Sequence, residues 1–283
     1  MNNQKVILIT GCSSGFGLLT AVRLAAQGHF VWATMRDLSK KQSLEDALVI
    51  HQAQAFIREL DVTKPESIKN VVEEIHKTHA HIDVLINNAG YGIAGFFEDL
   101  TDEEIRAQME TNFFGVQNVC REVIPLMRQR RQGKIINISS IAGQVASPCL
   151  GAYNTSKWAL EAFSESLCFE LGLFGISVSL VEPGSYPTKI FTDNARYAKN
   201  LDNPQSPYYH FSQRLKNIAQ KYTRKINRDP DVVARLIVSI VHQSHPRLRY
   251  VSDFSSWMRI VVQKNMPSCL FRYLIRRFLH ADK

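Results

Sequence analysis

The chain has 283 residues, 45% apolar and 21% charged, with 34 Lys and Arg against 26 Asp and Glu. This composition belongs to a globular protein and excludes disorder for most of the chain; with no run of about 18 apolar residues it also excludes a membrane-spanning helix. The formal charge of +8 needs a cause, and nucleic acid, a membrane surface or an anionic cofactor are the candidates.

Met1 to Lys5 lead straight into Val6-Ile7-Leu8-Ile9, which is too short for a signal-peptide core, so secretion is not expected. Short β-branched runs then alternate with segments of helical period. Strands are expected at residues 6–10, 30–34, 55–60, 84–87, 134–138, 177–181 and 249–252. Helices are expected at 15–27, 39–53, 65–77, 101–130, 153–174 and 230–243, with Thr101-x-x-Glu104 as a capping box and Pro65 in a first turn. Strands apolar at every position need cover on both faces, as in a parallel sheet. The alternation predicts one α/β doubly wound, Rossmann-like domain over 1–253, with a seven-stranded, mostly parallel sheet and helices on both faces. Residues 188–225 break the rhythm with Asn203-Pro204 and Ser206-Pro207 and read as a substrate lid.

Residues 254–283 follow as a helical extension. From Trp257 onward it holds six Lys and Arg and one acid, and Leu270, Phe271, Leu274, Ile275, Phe278 and Leu279 recur at helical spacing. Such a basic amphipathic segment packs on its own domain or on another subunit, or else lies on a membrane surface. Five scattered cysteines (Cys12, Cys120, Cys149, Cys168 and Cys269) give neither a disulfide framework nor a zinc pattern and suit a reducing, cytoplasmic compartment. His76, His79 and His81 crowd a helix end without acidic or thiol companions, so no metal site is expected.

After the first strand, Thr10-Gly11-Cys12-Ser13-Ser14-Gly15-Phe16-Gly17 places three glycines where strand turns into helix. Glycine permits a tight turn and close approach of a pyrophosphate to backbone amides, so Gly11, Ser13, Ser14, Gly15, Phe16 and Gly17 are cofactor candidates; a turn that merely packs helix on sheet is the alternative. Further along come Asn87-Asn88-Ala89-Gly90, Asn112 in Thr-Asn-Phe-Phe-Gly, Ser140, Tyr153-x-x-x-Lys157 and Pro183-Gly184. This ordered set resembles the short-chain dehydrogenase/reductase family, in its single-domain branch, and is most similar to hydroxysteroid and retinol dehydrogenase-like members.

Tyr153 and Lys157 stand four apart on a helix and so share a face. A phenol titrates near pH ~10; a neighbouring ammonium lowers that value and lets tyrosine exchange a proton with an alcohol or carbonyl. Ser140 ends the fifth strand, at the edge where open α/β sheets place their chemistry, and its hydroxyl suits the reacting oxygen. The resemblance implies that Asn112 supports a water in the proton relay; a buried structural amide is the alternative. It also places Asn88, Ala89 and Gly90 beside the adenine ribose, Asp61 and Val62 at the adenine, and Lys157 on the nicotinamide ribose. Pro183-Gly184 would lie under the nicotinamide and Thr188 at its carboxamide.

At the end of the second strand a carboxylate would select NAD, but here Met35 is followed by Arg36, whose fork suits a 2′-phosphate with help from Ser13. NADP(H) is therefore the expected cofactor, with NAD possible through Asp37. The pocket candidates are Tyr91, Gln144, Val145 and Tyr186 with Ser140 and Tyr153, which suit a hydrophobic alcohol or carbonyl. Two other classes are open: a non-catalytic NADP(H)-sensing module and a membrane-surface binding protein. No motif supports nucleic-acid binding, and the resemblance implies a homodimer or homotetramer.

Overall fold

The computed structural model describes residues 4–187, 195–225 and 228–280. The first half runs β1 (Val6–Ile9), α1 (Gly15–Ala26), β2 (Phe30–Met35), α2 (Gln42–Ile50), β3 (Phe56–Glu59), α3 (Pro65–His79), β4 (Val84–Asn87), β5 (Gly92–Ala94), α4 (Asp102–Met109) and α5 (Gly115–Arg130). The second half runs β6 (Gly133–Ile138), α6 (Gly151–Gly172), β7 (Ile176–Glu182), β8 (Ala195–Tyr197), α7 (Tyr209–Lys225), α8 (Asp231–His242), β9 (Arg249–Val251), α9 (Phe254–Asn265) and α10 (Ser268–His280).

Seven strands form one sheet in the order β3-β2-β1-β4-β6-β7-β9, every pair parallel. The expected doubly wound sheet is therefore present, and strand order reverses between β1 and β4, where such sheets open a crevice. Successive side chains of a strand point to opposite faces. Accordingly Ile7 and Ile9 enter one core, with Val31, Ala33 and Met35, while Val6 and Leu8 enter the other, with Trp32. The first core is closed by α1, α2 and α8 through Leu24, Leu44 and Ile237; the second by α3, α5 and α6 through Ile68, Val123 and Leu160. Burial of each such side chain is worth about 1.5–3 kcal/mol, so the apolar strands fix both helical layers at once.

Three features differ from the sequence pattern. The helix expected at 101–130 is interrupted: after the capping box, in which the Glu104 amide donates to Thr101 Oγ1 (3.2 Å), residues Glu110–Phe114 form a wider π-turn. The break serves two close contacts. Asn112 is fully buried and bonded to Tyr91, and a Cβ on Gly115 would stand 2.6 Å from Val62 Cγ2. Apolar periodicity passes through one extra residue almost unchanged, which is why the pattern reads as one helix. Second, β5 and β8 add a small parallel pair beside the main sheet. Third, the histidine triplet is dispersed: the His79 ring packs on Phe30 and Phe56, while His81 pairs with Asp83 at 3.2 Å.

The helical tail lies against the domain. Ile260 of α9 packs with Ile141 and Val145, Arg259 donates to Ser147 Oγ (2.7 Å), and Gln263 donates to the Ala146 carbonyl (3.0 Å). Helix α10 rests on α7, where Arg214 donates to the Leu279 carbonyl (3.3 Å) and the Phe211 and His280 rings meet at 5.4 Å. No described helix is long and apolar enough to cross a membrane.

Candidate active site

The C-terminal ends of the parallel strands open onto a cleft of about 700 Å³. Ser140, Tyr153 and Lys157 meet at its inner end. Ser140 follows β6 and caps the short turn Ile141–Gly143: its Oγ accepts from the Ala142 amide (3.1 Å) and lies 3.5 Å from the Pro183 carbonyl, which it faces as donor. Tyr153 and Lys157, one helical turn apart in α6, project together, with Lys157 Nζ 6.0 Å from the Tyr153 ring centroid. Burial pushes the Tyr153 phenol above its ordinary value, and its hydrogen bond with Ser140 pulls it back. Burial also pulls the Lys157 ammonium down to about 8, opposed by the charge of Glu161. Lys157 Nζ donates to the Ile138 carbonyl at 2.8 Å, so its position is set by the strand end.

Asn112 sits directly behind this group, without lining the cleft. Its Nδ2 donates to the Tyr91 carbonyl (2.9 Å) and Ser156 Oγ (3.1 Å), and its Oδ1 accepts from the Tyr91 amide (3.1 Å). The side chain is thus occupied in holding the segment after β4 against α6. Gly90 passes so close that a Cβ there would be 3.1 Å from Asn112 Oδ1.

The floor is made where β1 and β4 diverge. Gly11 has φ +74° and faces Ala89 so closely that a Cβ would reach its Cα at 2.7 Å. Thr10 Oγ1 accepts from the Asn88 and Ala89 amides (both 3.0 Å), and Asn88 Nδ2 donates back to the carbonyls of Thr10 and Gly11 (3.0 and 2.9 Å). Gly17 packs under this knot: a Cβ there would meet Asn88 Nδ2 at 2.4 Å. Ser14 caps α1 by backbone alone, with no side-chain bond, so the first-turn amides of α1 have no partner within the helix.

Residues 5–198 match the short chain dehydrogenase family. The chain belongs to that family. It is 40% identical over 277 residues to 3-ketodihydrosphingosine reductase of Bacteroides thetaiotaomicron, covering 97% of each chain. It is 36% identical over 253 residues to human retinol dehydrogenase 8, covering 87% of this chain and 80% of that one. A solved short-chain dehydrogenase from Streptomyces avermitilis superposes with a TM-score of 0.81 at 30% identity, covering 97% of both chains. As a short-chain dehydrogenase, the protein is an NAD(P)-dependent oxidoreductase.

The cleft of this short-chain dehydrogenase fits a dinucleotide: part of its floor is bare backbone, since Gly11 packs on Ala89 with no room for a Cβ, and its volume lies in the range of cofactor sites. Gly11, Ser13, Ser14, Gly15, Phe16, Arg36, Asp61, Val62, Asn88, Ala89, Gly90, Pro183 and Gly184 all line it, as do Tyr91 and Tyr186. Gly17 does not line it and serves packing. Thr188 lies outside the described residues.

Gln144 and Val145, expected to touch substrate, are also away from the cleft. Gln144 Nε2 donates to Glu161 (3.1 Å) and Glu182 (3.3 Å), and Val145 is buried under α9. The turn after Ser140 reverses the chain and aims both side chains to its far side. Tyr186 reaches the cleft only with its ring, edge-on to Phe16 at 5.7 Å; its hydroxyl is 3.1 Å from Ser252 Oγ.

Sequence reasoning missed Ser39, Lys40, Gln42 and Ser43, which line the outer end beyond Arg36, and Arg196, whose guanidinium covers the Tyr91 ring at 4.3 Å. Only their closeness to β2 marks the first four. Arg196 comes from β8, which carries no periodic signal.

Proposed function

We propose that this dehydrogenase uses NADP(H) to interconvert an alcohol with a ketone or aldehyde on a hydrophobic substrate, with Tyr153 as general acid and base. The observation that carries this reading is the meeting of Ser140, Tyr153 and Lys157 at one end of a cleft whose other end holds Arg36 and Lys40. A bound nicotinamide would supply or take the hydride.

The chain's own groups handle the oxygen and its proton. The Ser140 capping bond uses only a lone pair, and its proton faces the Pro183 carbonyl across a long 3.5 Å contact that a substrate oxygen would replace as acceptor. The Tyr153 phenol, held protonated by its surroundings, is the proton donor when a carbonyl is reduced. In the oxidising direction it must first lose that proton, which the positive charge of Lys157 favours. Lys157 pulled toward pH 8 means that this help weakens above that pH in the free protein.

Two features support NADP(H). Arg36 is exposed at the cleft and makes no ion pair among the described residues. Asp37, the alternative ribose ligand, caps the turn Leu38–Lys40, accepting from the Ser39 amide (3.0 Å) and hydroxyl (2.6 Å) on one carboxylate oxygen. Apolar substrates are supported by the names of two relatives, 3-ketodihydrosphingosine reductase and retinol dehydrogenase 8.

The test is NADPH consumption with a panel of hydrophobic ketones and aldehydes, against Tyr153→Phe. Loss of the general acid should lower turnover by about 10²–10⁴-fold, with NADPH affinity retained. Near-normal turnover of Tyr153→Phe would sink the assignment.

A further inference from the structure

We infer that the C-terminal pair α9–α10 docks this protein on an anionic lipid-bilayer surface. Eight of the eighteen large apolar side chains exposed among the described residues fall in residues 254–280, so exposure is concentrated here and needs a cause. They are ordered. Phe254, Met258 and Val262 recur at i, i+4 and i+8 along α9, and Leu270, Leu274 and Phe278 do the same along α10. Each set is therefore a stripe on one helix face. Trp257, stacked on Phe254 at 5.7 Å, and Tyr273 flank the stripes with side chains that favour a membrane–water interface.

The inner face of α10 is already used. Phe271, Ile275 and Leu279 are half-buried, and the helix is held to α7 by Arg214. The outer stripe is what remains on a helix seated against α7, where the Phe211 and His280 rings also meet. Its exposure thus does not arise from a helix that has come away from the domain.

Charge identifies the occupant. Residues 254–280 hold Arg259, Lys264, Arg272, Arg276 and Arg277 and no acid. None of the five forms an ion pair among the described residues; Arg259 hydrogen-bonds to the neutral Ser147, and Lys264 to the neutral Gln144 while lying near enough to Glu182 to act on its charge. A second copy seated on the stripe would bring two such basic faces together, which like-charge repulsion opposes. An anionic bilayer attracts every one of them, while the apolar stripe enters the headgroup boundary.

The experiment is co-sedimentation of the full chain with vesicles of phosphatidylcholine alone, and with phosphatidylglycerol mixed in at roughly one part in three. The protein is expected to pellet only with the anionic vesicles, and to be released when salt rises from about 0.1 M to about 1 M. Each base near such a surface is worth about fivefold in partition, so Arg272→Gln/Arg276→Gln/Arg277→Gln should weaken binding on the order of 100-fold. Leu270→Ser/Leu274→Ser should weaken it too. Unchanged NADPH turnover and thermal melting would show that both variants are folded.

The inference is overturned if the folded parent stays in the supernatant with anionic vesicles at low salt. It is overturned equally if the arginine variant binds as well as the parent. A parent dimer that Leu270→Ser/Leu274→Ser dissociates would assign the stripe to a second copy instead.

Discussion

Glu182 is the last residue of β7, 1% exposed, and it shares one guanidinium with two other carboxylates. Arg249 Nε lies 3.0 Å from Glu161 Oε2 and 3.5 Å from Glu182 Oε1, while its Nη2 meets Glu165 Oε2 at 2.7 Å. Burial first, and then the charge of Glu161, push Glu182 up to about 7, against the opposing pull of Arg249 and Gln144. In the unfolded chain the same group titrates near 4.5. Between those values the folded state holds a proton that the unfolded state has released, so stability falls as pH rises from about 4.5 through about 7. The gap of about 2.5 pH units, at about 1.36 kcal/mol each, makes the full loss about 3 kcal/mol by pH 8 and under about 1 kcal/mol at pH 5.

Glu182→Gln keeps the shape and an acceptor for Gln144 but never ionises. It should therefore stabilise the protein at pH 8 by about 3 kcal/mol, or roughly 5 °C in melting temperature for a chain of this length, with little gain at pH 5. Thermal melts of both proteins at the two pH values measure this directly. A variant less stable than the parent at pH 8 would mean that the ion pair with Arg249 outweighs desolvation. An equal gain at both pH values would remove titration as the cause.

Two further substitutions test the architecture and the cofactor reading. Lys134, on β6, reaches across to the C-terminal end of α8, where its Nζ donates to the carbonyls of Ile240 (2.7 Å), Val241 (3.0 Å) and Gln243 (2.6 Å). Lys134→Met strands these acceptors and should cost about 3 kcal/mol in denaturant unfolding; a change under about 0.5 kcal/mol, the size of a surface effect, would contradict it. Arg36→Ala should raise the KM for NADPH by about 10–100-fold, the worth of one charge-assisted phosphate contact, and leave that for NADH nearly unchanged. Equal effects on both cofactors would assign Arg36 no role at a 2′-phosphate.

The sheet was legible because a doubly covered strand leaves no polar position: Val6-Ile7-Leu8-Ile9 and Val84-Leu85-Ile86 can only be interior. Glycine spacing and the Tyr153–Lys157 pair were legible because each needs fixed local geometry, a turn in one case and a helical face in the other. What escaped depends on distant parts of the chain. Gln144 looks like a pocket residue beside Ser140, and only the arrival of Glu161 and Glu182 shows that it faces the other way. The buried line from Asn87 Nδ2 to Asn137 Oδ1 (2.9 Å), and from Asn137 Nδ2 to Ser164 Oγ (2.8 Å), joins three separate elements and has no periodicity to reveal it. The π-turn at Asn112 was hidden for the opposite reason, since helical pattern continues on both sides.

These distant contacts converge on the segment that follows Ser140. That loop is held on three sides. The Ile141 amide donates to the Pro183 carbonyl at 3.1 Å, Gln144 is tied to Glu161 of α6 and Glu182 of β7, and Val145, Ala146 and Ser147 are covered by α9. Tyr153 and Glu161 stand on the same helix, so the acid cluster links the phenol's own support to the serine's. The two halves of the tail are therefore unequal. Helix α9 is part of the frame that orients Ser140, whereas α10 contributes no buried residue and touches α7 from outside. Basic and apolar character can vary along α10 without disturbing the loop after Ser140, and that freedom permits an outward-facing surface so near the cleft.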